Sequence, residues 1–256
     1  MIKNSFIFLD KVSHATEKKL WESNILQWDD FTAARNISGI SQQRKIFCDQ
    51  QILHAKNCTM QADAEALSRL FPKAEHWRLY DFFKDEACFI DIETSGYYGD
   101  ITVLGMYDGR ETMAFVKGRN LDARTVGKLL RRYKMLISFN GSSFDLPVIN
   151  RYYPNTIPDI PHIDLRHVLA KLGYSGGLKH IEAQLGIKRA EEVKDVRGSD
   201  AIYLWNMYKA TGKEHYLELL VKYNEEDIVN LKPLADFAYK EMKKNIFDIN
   251  SLKSTY

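Results

Sequence analysis

The sequence pattern changes at residue 87, and this change constrains the fold more than any other feature. From there, short runs typical of β-strands alternate with turn or helix patterns. The runs are Cys88–Glu93, Ile101–Tyr107, Thr112–Val116, Met135–Phe139 and His162–Leu165. Asp108-Gly109-Arg110 is a hairpin signal, and a helix is predicted over Asp122–Tyr133. We therefore expect an α/β fold in which the first three strands form a meander and the later strands are parallel.

The first 86 residues contain a single glycine, Gly39, and their apolar spacing is helical. The helical runs are Thr16–Glu22, Ser41–Lys56, Ala62–Phe71 and Glu75–Phe83. Helices are predicted again from Leu178 onward, at Ala201–Ala210 and from Leu217 toward Lys244. The expected organisation is an all-helical N-terminal segment, residues 1–86, followed by an α/β domain, residues 87–256.

Composition excludes few functions. The chain has 256 residues, and its 36 basic and 34 acidic side chains leave a net charge of +2, so bulk charge indicates no partner. The three cysteines form no CxxC pair, which favours a reducing compartment. No apolar run approaches the roughly 18 residues that span a bilayer, and Phe6–Leu9 is too short for a signal peptide. We expect a soluble cytoplasmic protein with no membrane partner.

Two carboxylates stand two residues apart in the first strand. The period of a strand places Asp91 and Glu93 on one face, where they repel each other. A shared proton, a basic neighbour or a bound divalent cation would relieve this repulsion. The alternative is a surface edge strand with a solvated acidic face.

Two further acidic positions follow at later elements. Asp145 stands at the start of the helix after the fourth strand, where it could simply complement the helix dipole. Tyr223 and Asp227 are four residues apart and share a helix face, a common pair by chance. The ordered combination of DxE, NxxxFD and YxxxD is far more specific than any one of these motifs.

This combination resembles the DEDD-type 3′-to-5′ exonucleases of the ribonuclease H-like superfamily, in the DEDDy subgroup, and most closely the YprB-like predicted exonuclease family. The matching stretches are residues 89–96, 137–141, 144–147, 162–165, 177–182 and 223–227. The resemblance implies a ribonuclease H-like mixed sheet of five strands flanked by helices, with the first three strands antiparallel. This agrees with the strands counted from the sequence.

The resemblance also implies that Asp91, Glu93, Asp145 and Asp227 bind two divalent metal ions. Phosphodiester hydrolysis places charge on both the attacking and the leaving oxygen, and two ions stabilise both. Ligation by carboxylates alone favours Mg²⁺ or Mn²⁺ over zinc. Tyr223 matches the family's water-orienting tyrosine, and a phenol with an ordinary pKa near 10 positions water better than it abstracts a proton.

Further residues are expected to bind the terminal nucleotide. Thr94 is a candidate backbone contact, Asn140 is expected to shape the pocket, and Phe144 contacts a base or sugar or simply packs in the core. Lys179, with His180, follows a glycine pair and could approach a phosphate. Outside this set, Asp164 is expected to be structural. The pair Lys188 and Arg189 belongs either to a solvated helix face or to a nucleic-acid track.

The N-terminal segment has its own candidate motifs. Residues 8–21 resemble a degenerate helix-hairpin-helix element, but Lys11, Ser13 and His14 replace the glycines that would let backbone amides approach a phosphate. A helical cap is therefore favoured over DNA binding. A fourth ligand is missing for a zinc site at Cys48, His54 and Cys58, so buried thiols are the expectation.

The predicted function is a metal-dependent 3′-to-5′ exonuclease that releases nucleoside 5′-monophosphates from nucleic acid with a free, preferably single-stranded 3′ end. The alternatives are a structure-specific endonuclease on the same fold and a catalytically silent nucleic-acid-binding module. The sequence does not distinguish DNA from RNA and indicates no protein partner.

Overall fold

The computed structural model describes residues 1–96, 99–194, 196 and 198–251. Part of the predicted glycine-containing loop, at Tyr97 and Tyr98, therefore lies outside the described residues. The chain divides into two compact units. The first contains Met1–Phe82, Asp159–Pro161 and the chain from Tyr239; the second contains Phe83–Pro158 and His162–Ala238. The division predicted between residues 86 and 87 stays a prediction.

The described N-terminal part is helical. Its α-helices are α1 (His14–Glu22), α2 (Trp28–Ala33), α3 (Gln42–Met60), α4 (Ala64–Leu70) and α5 (Tyr80–Phe83). Short 3-10 helices form at Ile2–Asn4, Lys73–Leu79 and Lys84–Glu86. The run predicted over Glu75–Phe83 is helical throughout, but Glu75 to Leu79 take the 3-10 form and Tyr80–Phe83 the α form. Glu75 to Leu79 are all buried, which does not fit the one-sided burial of an amphipathic α-helix.

The residues before α1 form a turn that packs into the core of the first unit. Phe6 is completely buried, and its ring centroid lies 5.7 Å from that of Phe31. Lys11 takes a positive φ of 56°, and Ser13 caps α1 by accepting the Thr16 N–H. A 3-10 helix of three residues, Ile2–Asn4, precedes this turn.

The second unit is built on a mixed sheet of five strands, as predicted. They are β1 (Ala87–Thr94), β2 (Ile101–Tyr107), β3 (Thr112–Val116), β4 (Met135–Ser138) and β5 (His162–Asp164), in the order β3-β2-β1-β4-β5. The pairs β1–β2 and β2–β3 are antiparallel, and β1–β4 and β4–β5 are parallel. The predicted ribonuclease H-like arrangement of strands is confirmed.

Helices flank this sheet. They are α6 (Ala123–Leu130), α7 (Asp145–Tyr152), α8 (Leu165–Lys171), α9 (Leu178–Gln184), α10 (Gly198–Thr211) and α11 (Glu214–Ser251). An apolar cluster joins α10 and the first turns of α11 to β2, through residues such as Val103, Trp205 and Leu220. This packing fixes the first turns of α11 within the second unit. Among the described residues, no helix is long and apolar enough to cross a membrane.

Candidate metal centre

Asp91 and Glu93 lie on the central strand of the sheet. They pair with Gly105 and Val103 of β2, and β4 pairs with β1 only as far as Phe89. Both carboxylates are half-buried, beyond the end of the parallel pairing. The alternative of a solvated edge strand is therefore wrong, because β1 has a partner strand on each side.

Helix α11 brings a third carboxylate to this pair. One oxygen each from Asp91, Glu93 and Asp227 lies within 4.8 Å of the others, close enough to share a metal ion. Asp227 is buried, at 7% exposure. Residues 136 positions apart in the sequence thus form one acidic group, because α11 packs against the sheet beside β1.

Asp145 lies directly beside this group. It begins α7 and is 2% exposed, and its Oδ1 accepts the backbone N–H of Ile92 at 3.0 Å. Ile92 stands between the two acidic residues of β1, so this bond ties the start of α7 to the strand. The Asp145 charge acts on both Asp91 and Glu93.

The charges in the group oppose one another. Burial raises the pKa of Asp91 well above its ordinary range, and the charges of Asp145, Asp227 and Glu93 raise it further. Burial and its acidic neighbours raise the pKa of Glu93 in the same way. Burial also raises the pKa of Asp145 to about 7. Additional positive charge is therefore needed for all of these carboxylates to be ionised together. A bound divalent cation would supply that charge.

Tyr223 lies one turn before Asp227 on α11 and is 7% exposed. Its hydroxyl is a hydrogen-bonding neighbour of the Asp227 carboxylate. Burial raises the pKa of the phenol well above its ordinary value, and the charge of Asp227 is the next largest cause. The hydroxyl therefore stays protonated at neutral pH and is suited to donating a hydrogen bond.

The sequence did not reveal the role of Arg189. Its side chain is 6% exposed, its Nη2 lies 2.5 Å from Asp227 Oδ1, and its Nε and Nη2 donate to the Glu182 carboxylate at 2.6 and 2.8 Å. Asn230 Nδ2 donates to the same Glu182 at 3.1 Å. Neither interpretation of Arg189, as part of a solvated helix face or of a nucleic-acid track, holds, because the guanidinium is buried between two carboxylates.

The ion pair with Arg189 leaves Asp227 able to bind a further cation. Arg189 Nη2 contacts Oδ1, and a carboxylate has two oxygens with about four lone-pair sites between them. A buried carboxylate next to two more carboxylates is a suitable cation ligand. The residues present thus fit a divalent cation that prefers oxygen.

The predicted substrate-binding residues lie at the end of β1, around the turn after β4 and, for Lys179, on α9. Thr94 follows Glu93 and donates its hydroxyl to the Gly96 carbonyl at 2.9 Å. Phe144 is half-buried and immediately precedes Asp145. Lys179 Nζ lies 5.1 Å from the centre of the Tyr223 ring and donates to the carbonyls of Lys194 and Val196. Their roles in binding stay predictions.

Asn140 belongs to a turn held by Asp164. The Asp164 carboxylate accepts the backbone N–H groups of Asn140 at 2.8 Å and Ser142 at 3.0 Å, and also the Ser142 hydroxyl. Asn140 takes a φ of 65°, and its side-chain Oδ1 accepts from Arg166 at 2.7 Å. Asp164 thereby fixes the turn that leads into Asp145.

The other sequence-based candidate for metal binding does not form a comparable group. All three cysteines are free and buried, and the acidic cluster on β1 and α11 is the group of metal-ligand type found among the described residues. Cys58 Sγ lies 3.6 Å from His54 Nε2. Burial raises the pKa of the Cys58 thiol, which makes it a poorer ligand.

A mixed sheet with carboxylates on its central strand and on a late helix defines an α/β protein with a candidate divalent-metal centre. Residues 88–239 match the family model RNase_H_2, described as RNase_H superfamily. Because the match covers more than half of the chain, the protein belongs to this superfamily.

A solved structure supports the same fold. The chain is similar to the family B DNA polymerase from the hyperthermophilic archaeon Pyrobaculum calidifontis, with a TM-score of 0.50 and 15% sequence identity. The similarity covers 62% of this chain and 25% of the polymerase chain. No curated protein matches the sequence.

Proposed function

We propose that the chain is a metal-dependent 3′-to-5′ exonuclease of the DEDDy type, similar to the YprB-like family. The observation that carries this proposal is the convergence of Asp91, Glu93 and Asp227 within 4.8 Å, with Asp145 bonded to the strand between the first two. Membership of the RNase_H superfamily supports a nuclease. The tyrosine beside the last carboxylate supports the DEDDy type.

The proposed cofactors are two Mg²⁺ or Mn²⁺ ions held by Asp91, Glu93, Asp145 and Asp227. All these ligands are carboxylates, which favour hard cations. Such ions, when bound, stabilise negative charge on the attacking and leaving oxygens of a phosphodiester. The remaining catalytic work falls to residues of the chain itself.

Tyr223 is proposed to orient the attacking water. Its raised pKa keeps the hydroxyl protonated, so it serves as a hydrogen-bond donor and not as a general base. Arg189 also contacts Asp227, and its charge favours the ionised carboxylate against the larger effect of burial, which raises the Asp227 pKa. The proposed products are nucleoside 5′-monophosphates.

The proposed substrate is nucleic acid with a free 3′ end. Thr94, Asn140 and Phe144 are proposed to contact the terminal nucleotide, and Lys179 a phosphate near it. A duplex end must fray before its last nucleotide reaches the carboxylates, at a few kcal/mol for unstacking and unpairing. Single-stranded ends should therefore be degraded faster. The free buried thiols agree with the proposed cytoplasmic location.

The test is a product ladder. End-labelled linear single strands and blunt duplexes of DNA and RNA are incubated with the full chain and Mg²⁺ or Mn²⁺, with a closed circular single strand as the control substrate. We expect stepwise release of mononucleotides from the 3′ end, slow attack on duplex and no attack on the circle. Cleavage of the circle that the Asp91→Asn variant lacks would overturn the exonuclease and favour an endonuclease.

A further inference from the structure

A buried asparagine contacts the first carboxylate of the cluster. Asn224 follows Tyr223 on α11 and is completely buried, and its Nδ2 donates to Asp91 Oδ2 at 2.8 Å. In the ionised form that a metal ligand takes, the Asp91 carboxylate only accepts hydrogen bonds, which fits the Asn224 amide nitrogen on the Asp91 side. The bond engages Oδ2 and restrains the rotation of the Asp91 carboxylate.

The strand beside Asp91 is shaped to admit this asparagine. Gly105 pairs with Asp91 across β1 and β2, and a Cβ at Gly105 would lie 2.0 Å from Asn224 Oδ1 and 3.0 Å from its Cγ. Gly105 is not among the glycines with positive φ, so its backbone conformation does not require glycine. Glycine weakens the interior of a strand, and here the close approach of the asparagine explains it.

Packing alone does not explain the asparagine at this position. Its Oδ1 is buried and has no hydrogen-bond partner among the described residues. Burying an unsatisfied polar atom is destabilising, and an apolar side chain of similar shape would avoid that cost. The benefit of an asparagine at this position must therefore come from its Nδ2, which donates a hydrogen bond to Asp91.

We propose that Asn224 is a positioning residue that fits against Gly105 and orients the Asp91 carboxylate for a divalent cation. The inference rests on the proposed metal site and adds to it two residues outside the carboxylate set. Residues that orient a metal ligand through a hydrogen bond typically change metal affinity 10–100-fold when replaced. Asn224 and Gly105 should therefore affect metal binding without contacting the metal.

The first experiment separates positioning from packing. Asn224→Leu keeps the branched shape of the side chain, removes the donor to Asp91 and removes the unsatisfied acceptor. We expect the metal-free variant to melt at or above the wild-type temperature, and calorimetric titration with Mn²⁺ alone to show about 10–100-fold weaker binding. Asn120→Ala is the control, because its exposed amide bonds the backbone of β3 and should leave Mn²⁺ affinity unchanged.

The second experiment uses the contact between the two residues. Gly105→Ala should weaken Mn²⁺ binding by displacing Asn224. The same change should have little further effect in an Asn224→Ala background, where the close contact left for the added Cβ is Ile228 Cδ1 at 3.1 Å, the end of a flexible side chain. Such coupling is expected only for residues in direct contact. This arm uses substitutions different from Asn224→Leu, so it tests the proposal even if that variant fails to fold.

The outcomes distinguish this inference from the proposed function. Wild-type protein that binds no Mn²⁺ would overturn the metal site and the positioning role together. Wild-type protein that binds Mn²⁺, with equal affinity in Asn224→Leu, would overturn only the positioning role. Equal effects of Gly105→Ala in both backgrounds would likewise contradict it.

Discussion

The two units of the molecule bury their carboxylates in opposite ways. In the first unit, Glu17 is 1% exposed, and its Oε1 accepts the backbone N–H groups of Phe6 and Ile7 and the guanidinium of Arg78 at 2.6, 3.1 and 2.8 Å. Arg78 also donates to Glu75 at 2.6 Å. Each negative charge thus has a donor or a cation from within the unit.

In the second unit, the carboxylates face one another. Beyond the effect of burial, Asp145 and Asp227 raise the pKa of both Asp91 and Glu93, and the buried Arg189 is shared between Asp227 and Glu182. Buried charges persist when they are paired or when they bind a metal. The contrast indicates that the first network stabilises the fold, whereas the second is incomplete without a cation from outside.

The largest expected effect is on hydrolysis. Asp91→Asn and Asp145→Asn keep the shape of the side chain and remove charge that the ions would require. We expect at least about a thousandfold loss of activity, since metal-ion stabilisation is worth several kcal/mol. The metal-free melting temperature should hold or rise, because a repulsive charge is lost.

A matched control makes this result specific. Glu214→Gln is the same chemical change at an exposed ion pair with Arg119, and should leave nuclease activity intact. A metal-free melting temperature that falls by many degrees in Asp91→Asn would show that the cluster is structural like the Glu17 network.

The opposite effect on stability is expected in the first unit. Arg78→Met removes the partner of two buried carboxylates and should lower the free energy of unfolding by about 3–5 kcal/mol. Urea unfolding measures this, with the exposed Arg69→Met as the control. A loss of less than about 1 kcal/mol in the free energy of unfolding would show that the Arg78 network does not stabilise the fold, and would contradict the difference drawn between the two units.

Tyr223→Phe should have an intermediate effect on activity. Loss of the hydroxyl is expected to lower turnover by roughly ten to a thousandfold, the scale of a group that positions the reacting water. Mn²⁺ affinity should change much less, because the carboxylates remain. Tyr203→Phe, at an exposed position on α10, serves as the control, and unchanged turnover in Tyr223→Phe would exclude the hydroxyl from the mechanism.

The smallest effect is a pH dependence of stability without metal. The pKa of Asp145 is raised from 3.8 to about 7 in the folded protein, so the protonated side chain favours folding. This contribution is complete below the unfolded pKa and is lost as the pH rises through about 7. Urea unfolding in a chelator, from about pH 4 to pH 8, should show wild-type stability falling relative to Asp145→Asn. A constant difference would contradict the raised pKa.

Much of this organisation follows from local sequence. The five strands carry β-type patterns, and a hairpin signal stands between β2 and β3. The antiparallel meander and the parallel later strands were predicted from these patterns, because short connections restrict the topology. Asp91 and Glu93 could be paired from the period of a strand alone. The NxxxFD and YxxxD motifs then identified Asp145 and Asp227 as candidates through their order along the chain.

Contacts between distant elements could not be predicted in this way. Arg189 looks like a surface residue beside Lys188, and only the packing of Glu182 and α11 buries it. Gly105 looks like a weak point in a strand until Asn224 is placed against it. The chain from Tyr239 onward belongs with the first unit although α11 is continuous, because helix periodicity does not specify which core a helix joins.

The central claim is that the carboxylates of the second unit hold divalent cations, and the most direct test is anomalous diffraction from crystals of the full chain soaked in Mn²⁺. The account predicts manganese peaks among Asp91, Glu93, Asp145 and Asp227, which are lost in crystals of Asp91→Asn. Manganese bound only elsewhere, or the same four carboxylates without a peak at saturating Mn²⁺, would contradict it.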